Sequence, residues 1–312
     1  KLYAEVKNKK IPEILEMENK KNKKKIFYMI KNINLINLML NKINKIKSIN
    51  VIKNQNVSKI SNAGFLKCIK IGRKNYKYNL AIICTGNNSD LAKKNFKSGF
   101  IKNAYNETSI TTIINHKFIK NNITRQIFLD NSILALLPVS NTETSVVWSV
   151  KNDSKEQRNK FLRDEIKFHA NKFYHKIKFK NKIEYNDLNF LIRNKYYQER
   201  ILLFGDALHV VHPFVGQGFN MVLRDLMQLE KVLDAKIKLG LDLGSADILS
   251  EFSNDTKPNN FAFSIGIDIL KSSFSLKNKY LKEVRNNVIK YFGKNESVKN
   301  IFFNIADKGL RF

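Results

Sequence analysis

Glycine and proline are scarce in this chain, with 12 and 4 among 312 residues against typical usage of about 7% and 5%. That scarcity excludes collagen-like repeats and Pro/Gly-rich linkers, and no low-complexity tract takes their place. Cysteine is nearly absent too. Cys68 and Cys84 are too few for a disulfide framework and are not spaced as metal ligands, which fits a reducing compartment. The longest apolar runs, such as ILALLPV and ILLFGDALHVVHPFVG, are short or interrupted by charge. No membrane-spanning helix is therefore expected, and no secretory signal heads the chain. A cytoplasmic location follows, with a peripheral contact at the inner face of the membrane as its extension.

Acidic residues are the remaining shortage: 27 Asp and Glu face 56 Lys and Arg, a net charge of +29. Such a balance ordinarily points to nucleic acid or an anionic surface. Here Lys, Asn and Ile crowd every segment, as in NKKNKKKIF and NKINKIKSIN, the output of a strongly A+T-rich coding sequence. The lysines are scattered and do not interleave with aromatics, so no nucleic-acid partner is expected. A diffuse basic face still suffices for weak attraction to anionic lipid. Hydrophobic residues at 43% and charged residues at 27% are ordinary globular usage, enough for one large or two medium domains.

Periodicity orders the elements. Residues Lys1 to Phe27 read as strand, polar turn and strand, and Tyr28 to Ile43 has helical spacing with one apolar face through Ile30, Ile33, Leu35, Leu38, Met39 and Ile43. Short β-branched runs follow: INVI, VSKI, FLKCIKI and LAIIC. The last, Leu80 to Cys84, lacks alternation, as expected of a strand covered on both faces. It ends in a turn at Thr85-Gly86-Asn87-Asn88-Ser89, with a helix from Asp90. From Thr108 to Val150 the pattern alternates between Asn-rich turns, the mark of an antiparallel sheet. Lys155 to Phe179 reads as helix, Tyr185 to Leu191 as strand, RILLF as a buried strand, Gly218 to Leu233 as helix, and Asp247 to Phe312 as helices with Val298, Ile301, Phe302 and Ile305 on an apolar face. The succession implies one domain interrupted by another.

Against so little glycine, Gly205, Gly216, Gly218 and Pro213 fall inside fourteen residues. Such clustering marks a backbone need, either positive φ or close approach of main chain to a ligand. The strand RILLF runs into Gly205-Asp206, so Asp206 lies just past the carboxyl end of a buried strand, where open α/β sheets bind ligands. A carboxylate there accepts hydrogen bonds from sugar-alcohol hydroxyls. Gly216-Gln217-Gly218 opens a helix whose free N–H groups favour partial negative charge. Together they fit a ligand with a polyol arm and an electron-accepting ring.

The segment GDALHVVHPFVGQGFNMVLRDLMQL closely resembles the second FAD-binding motif of the aromatic-ring flavoprotein hydroxylases, in particular the ubiquinone-biosynthesis branch. The Gly-Asp, His, His-Pro, Gly-Gln-Gly, Asn and Arg-Asp elements all stand in order. YMIKNINLINLML resembles the family's first helix, ILALLPVSNTETSVVW its substrate-domain strands, and FAFSIGIDIL and NIADKGLRF its C-terminal helices. The resemblance implies a mixed α/β (α+β) fold: an incomplete Rossmann-like FAD-binding domain interrupted by a substrate domain with an antiparallel β-sheet, plus C-terminal helices. It divides the chain into substrate-domain strands (1–27), the middle of the FAD-binding domain (28–99), the substrate domain (100–190), the FAD-binding GD segment and helix (191–240) and a C-terminal helical region (241–312).

By position, the resemblance assigns FAD contacts to Gly205, Asp206, His209, Pro213, Gly216, Gln217, Gly218, Asn220, Thr85 and Gly86. Asp206 would serve the ribityl and pyrophosphate region, Pro213 to Gly218 the isoalloxazine ring, and Thr85-Gly86 the pyrophosphate arm, while Arg224 would be structural. The flavin itself performs the chemistry, so no catalytic side chain is named. NAD(P)H or another donor, O2 and a polyprenylated phenol are the implied co-substrates and substrate, with other ubiquinone-biosynthesis proteins as partners.

There are three departures from the pattern. The dinucleotide unit with GxGxxG is expected to precede Lys1, Thr85 stands where the family has aspartate, and Ile33 where it has arginine. The chain opens on Lys1 in a strand-like run, so an N-terminal segment is expected ahead of it. His209-x-x-His212 lacks further ligands at suitable spacing, and no metal site is expected. The rival readings are a hydroxylase or reductase of the same fold acting on another substrate, and a basic surface-binding protein without catalysis.

Overall fold

The computed structural model describes residues 1–4, 13–15, 28–97, 99–129, 132–151, 158–213 and 216–274, with a few single positions beyond. In chain order it begins with β1 (Leu2–Ala4), β2 (Glu13–Leu15), α1 (Asn32–Ile43), β3 (Val57–Ala63), β4 (Leu66–Ile71), β5 (Lys74–Tyr78) and β6 (Ala81–Ile83). Next come α2 (Asp90–Asn95), β7 (Phe100–Asn115), β8 (Arg125–Leu129), β9 (Ser132–Pro138), β10 (Glu143–Lys151) and α3 (Arg158–Ala170). The chain then runs through β11 (Lys178–Phe179), β12 (Glu184–Arg193), β13 (Tyr197–Gln198), β14 (Ile201–Leu203), β15 (His209–Val210), α4 (Gly218–Lys238) and α5 (Ala246–Phe274). The rest of the expected 1–27 strands, the start of the helix expected from Lys155, and the helical face through Val298 and Ile305 lie outside the described residues.

The chain divides into two compact units, residues 1–51, 106–188 and 272–300 in the first and 52–105, 189–271 and 301–312 in the second. The first is built on an antiparallel sheet. β10 pairs with β7 from Glu143↔Asn115 to Lys151↔Glu107 and on its other side with β9, which pairs with β8. β1 joins β8 in parallel. The alternation that the sequence shows sends Ile110, Ile114, Leu134, Leu136, Val146 and Trp148 to one face, where Leu162, Ile166 and Ala170 of α3 and Tyr174 beyond it meet them. The spacing of those four residues is one helical stripe. Each such buried aliphatic side chain contributes about 1.5–3 kcal/mol.

Two expectations change in this unit. α1 begins at Asn32, and the Ile49–Ile52 run has no strand conformation; three β-branched residues around Asn50, unpaired among the described residues, do not make a strand. The apolar spacing of α1 does produce a helix, but none of its residues is buried, and Ile33, Ile36, Leu38 and Met39 are exposed. Periodicity specifies the stripe, while only neighbouring surface can cover it.

In the second unit, β3, β4 and β5 form an antiparallel meander, of which β5, rich in Lys and Tyr, was not evident from periodicity. β14 pairs in parallel with β6, Ile201↔Ala81 through Leu203↔Ile83, and antiparallel with β13. All three residues of β14 are buried. β6, expected to be covered on both faces, is covered on one, with Ala81 and Ile83 buried and Ile82 42% exposed. Leu229 of α4 and Leu249 and Phe252 of α5 close the core around β14. No helix among the described residues is long and apolar enough to cross a membrane.

Candidate cofactor site

Two parallel strands in register send their following turns out at the same end. Phe204 N–H donates to Ile83 O at 3.0 Å, so Thr85-Gly86 after β6 and Gly205-Asp206 after β14 leave side by side, beyond the carboxyl ends where such sheets take ligands. Gly86 has φ +81° and Gly205 φ +63°, in the left-handed region that residues with a Cβ avoid. An added Cβ at Gly86 would meet nothing within 4 Å; the glycine serves the backbone and leaves open space before it. The Thr85 hydroxyl is engaged with Ser89 Oγ, and Ser89 caps α2 by accepting from Ala92 N–H at 3.2 Å.

Gly205–Ala207 is a single 3-10 turn with Asp206 exposed on it. The turn is held from behind. Leu208 N–H closes on Gly205 O at 2.8 Å, and Arg193 N–H donates to Leu208 O at 3.2 Å. The Arg193 side chain, 4% exposed, donates through Nε to Ala207 O at 2.8 Å and stacks its guanidinium 5.2 Å from the Phe100 ring. Burial pushes the Arg193 pKa down, and its Nη1 has no hydrogen-bond partner among the described residues. A buried cation with an unused donor, next to this turn, suits an anionic ligand group.

His209 turns inward. Its Nε2–H donates to Asp225 Oδ2 at 2.7 Å, with both side chains at 2% exposure or less. Asp225 also accepts from Asn260 Nδ2 at 2.9 and 3.1 Å, and Asn260 lies 3.3 Å from the Tyr196 hydroxyl. Burial pushes the Tyr196 pKa up. His212 is fully buried, edge-on to Tyr105 with ring centroids 4.9 Å apart.

Beyond it, Gly216 N–H closes on Pro213 O at 3.1 Å and Gly216 takes φ +63° facing open space. α4 starts at Gly218, after Gln217, whose side chain accepts from Asn220 Nδ2 at 3.1 Å. The helix start lies close to the GD turn: a Cβ on Gly205 would sit 4.0 Å from Val222, and one on Gly218 3.8 Å from Val211.

Of the ten residues singled out from sequence, Thr85, Gly86, Gly205 and Asp206 stand at one end of the parallel pair. Gly216, Gln217, Gly218 and Asn220 form the opening of α4, with Pro213 half-buried before it and His209 directed into the core. Sequence reasoning missed Arg193, Asp225, Asn260 and Tyr196. Arg193 carried a signal, a charge closing the run NFLI, and Asp225 a weaker one as the acidic member of the Arg-Asp pair. Among the described residues no group of three His, Cys, Asp or Glu is placed to hold a metal ion.

This architecture is the fold of the FAD-dependent monooxygenases. p-Nitrophenol 4-monooxygenase PnpA of Pseudomonas putida superposes with a TM-score of 0.74 over 91% of this chain and 75% of its own, at 14% identity. HpxO of Klebsiella pneumoniae, solved with FAD and uric acid, superposes with a TM-score of 0.63 over 82% and 67%, at 14% identity. The chain belongs to the squalene epoxidase family, which it matches over residues 77–305. It is related to ubiquinone-biosynthesis enzymes: ubiquinone hydroxylase UbiL of Rhodospirillum rubrum is 27% identical over 183 residues, 55% of this chain and 41% of that protein. The mitochondrial ubiquinone biosynthesis monooxygenase COQ6 of Dictyostelium discoideum is 29% identical over 107 residues, 34% of this chain and 22% of that protein. The chain thus spans less than half the length of these relatives.

Proposed function

We propose that this chain binds FAD and supports hydroxylation of an aromatic ring, with a polyprenylated phenol of ubiquinone biosynthesis as substrate and NAD(P)H or another donor as reductant. The observation that carries the reading is the pair of glycine turns leaving adjacent parallel strands, Thr85-Gly86 and Gly205-Asp206, with the α4 start packed beside the second. The residues fit a flavin dinucleotide: Gly86 and Gly216 face open space, and Arg193 offers a buried Nη1 without a partner among the described residues.

In that arrangement the Asp206 carboxylate accepts from ribityl hydroxyls, and the Thr85-Gly86 turn follows the pyrophosphate arm. Pro213 would pack against the ring, and the N–H groups from Gly216 to Asn220 would favour negative charge on its pyrimidine end. The bound flavin supplies the redox and oxygen chemistry, and the protein supplies position and electrostatics. The relatives' names support ubiquinone biosynthesis as the pathway. The reading extends to a peripheral contact with anionic membrane and with other proteins of that pathway, supported by the +29 charge and by exposed Phe219, Leu223 and Met227 on α4.

Titrating the purified full-length protein with FAD tests the reading through quenching of flavin fluorescence. Uptake is expected, and Asp206→Ala should weaken it about tenfold or more, the effect of one lost charge-assisted hydrogen bond. A full-length protein that takes up no flavin would belong to the rival class of basic surface-binding proteins. Flavin uptake without hydroxylation of polyprenylated phenols would shift the reading to a hydroxylase or reductase of the same fold with another substrate.

A further inference from the structure

We propose that Tyr196, Asn260, Asp225 and His209 form a buried positioning network that holds the Gly205–Ala207 turn, and Asp206 with it, in its ligand-facing conformation. The four side chains come from four places in the second unit: the approach to β13, α5, α4 and β15. All are buried. A buried carboxylate is costly unless its lone pairs are filled, and here Asp225 receives His209 Nε2–H at 2.7 Å and Asn260 Nδ2 at 2.9 and 3.1 Å. An apolar set of similar volume would pack this core without that cost. What the polar set adds is direction, because the Asp225 oxygens accept from both donors and each donor has one place to go.

The direction matters at His209. It is the second residue after the turn, its backbone pairs with Ile192 in β12, and the preceding carbonyls of Ala207 and Leu208 are both held by Arg193. The turn is therefore tied on the strand side by Arg193 and on the helix side by the His209–Asp225 bond, which leaves the exposed Asp206 carboxylate as its outward group. His209 acts through the turn as a positioning residue and does not itself face the ligand space. The inference rests on the flavin reading for what the turn is held for, and not for the holding itself.

Two measurements on the whole chain separate these. Backbone amide hydrogen exchange of Asp206, Ala207 and Leu208 reads the holding, and FAD titration by flavin fluorescence reads its consequence. In His209→Leu and Asp225→Asn the three turn amides should exchange about tenfold faster, the factor carried by one charge-assisted hydrogen bond, while the amides of β6 and β14 keep their protection. FAD affinity should fall by a similar factor. His209→Gln, whose amide donates from nearly the same place, should restore both.

Turn amides that exchange at the unsubstituted rate in His209→Leu would overturn the proposal. So would His209→Gln behaving as His209→Leu, or a loss of protection spread evenly through β6 and β14. If the unsubstituted full-length protein takes up no FAD but the exchange pattern holds, the network stands and the flavin reading falls.

Discussion

Two histidines of nearly equal burial, His169 in the first unit at 3% exposure and His209 in the second at 2%, differ in the carboxylate each one meets: partly exposed Glu165 at 3.5 Å from His169 Nε2, and buried Asp225 at 2.7 Å from His209 Nε2. His169, on α3, lies edge-on to Trp148 with ring centroids 6.5 Å apart, and its Nδ1 has no hydrogen-bond partner among the described residues. Burial, with the Lys172 charge adding, pulls its pKa down to about 4. His209 meets a carboxylate at 2.7 Å. A third, His116, is closed in by neutral groups. Its Nδ1 donates to Lys117 O at 2.8 Å, and Thr144 Oγ1 lies 3.0 Å from its Nε2. Thr144 Oγ1 already accepts from Asn121 at 2.9 Å, so its own hydrogen goes to the imidazole. Burial is common to all three, and the partner decides what each one does: His169 packs against Trp148 with one ring nitrogen near Glu165, His116 fastens a sheet end, and His209 aims a turn.

Removing a partner breaks the contrast most sharply. Asp225→Ala leaves His209 and Asn260 with unfilled donors in the core, and should lower unfolding free energy by about 3–5 kcal/mol in denaturant titrations. A loss under ~1 kcal/mol would mean that the network carries little. The second effect is a pH dependence. Folded His169 has its pKa below the ordinary value of about 6.5, so between about pH 4 and 6.5 the unfolded chain binds more protons and stability rises with pH, complete above that window. The slope should amount to at most roughly 3 kcal/mol and disappear in His169→Leu, as read from melting temperatures across the window.

His116 should respond through its neighbours. Asn121 donates to Ser140 O, Glu143 O and Thr144 Oγ1, and Asn121→Leu should cost about 1–2 kcal/mol through loss of the buried Thr144 bond, since Ser140 is exposed and Glu143 O keeps the Val139 and Ser140 N–H groups. The smallest effect belongs to an exposed pair. Arg200 grips Asp242 in bidentate fashion at 2.8 and 2.5 Å and holds that carboxyl far below the usual range, with the Gly244 N–H adding. That contribution is present above the ordinary carboxylate pKa and fades as the pH falls through the depressed one. Asp242 is 40% exposed, so solvent screening limits the cost of Asp242→Asn to about 1 kcal/mol or less near neutral pH.

The glycine turns were legible in sequence because their signal is local. In a chain that avoids glycine, a backbone requirement concentrates it, and Gly205, Gly216 and Gly218 could be found without knowing their neighbours. The alternating strands β7 to β10 were legible for the same reason, since their period of two follows directly from the pleat. Arg193 and Asp225 were not, because their roles depend on contacts to residues 14 and 16 positions away along the chain, which no periodicity records. The expected two-sided burial of Leu80–Cys84 erred in the same direction: an unalternating apolar run shows which faces of a strand can be covered, and coverage depends on what packs against it, so Ile82 remains exposed.

His209 shows where the division falls. The sequence by itself determined that a histidine follows the Gly-Asp turn, that the turn ends a buried strand and that a helix opens nine residues later, because backbone conformation and apolar period are written in consecutive residues. Only the tertiary structure decided that this histidine points into the core, to a carboxylate on α4. Hydrogen bonds between buried groups are settled by which elements pack together, and the cost of leaving any one of them unmade is what holds the chosen arrangement.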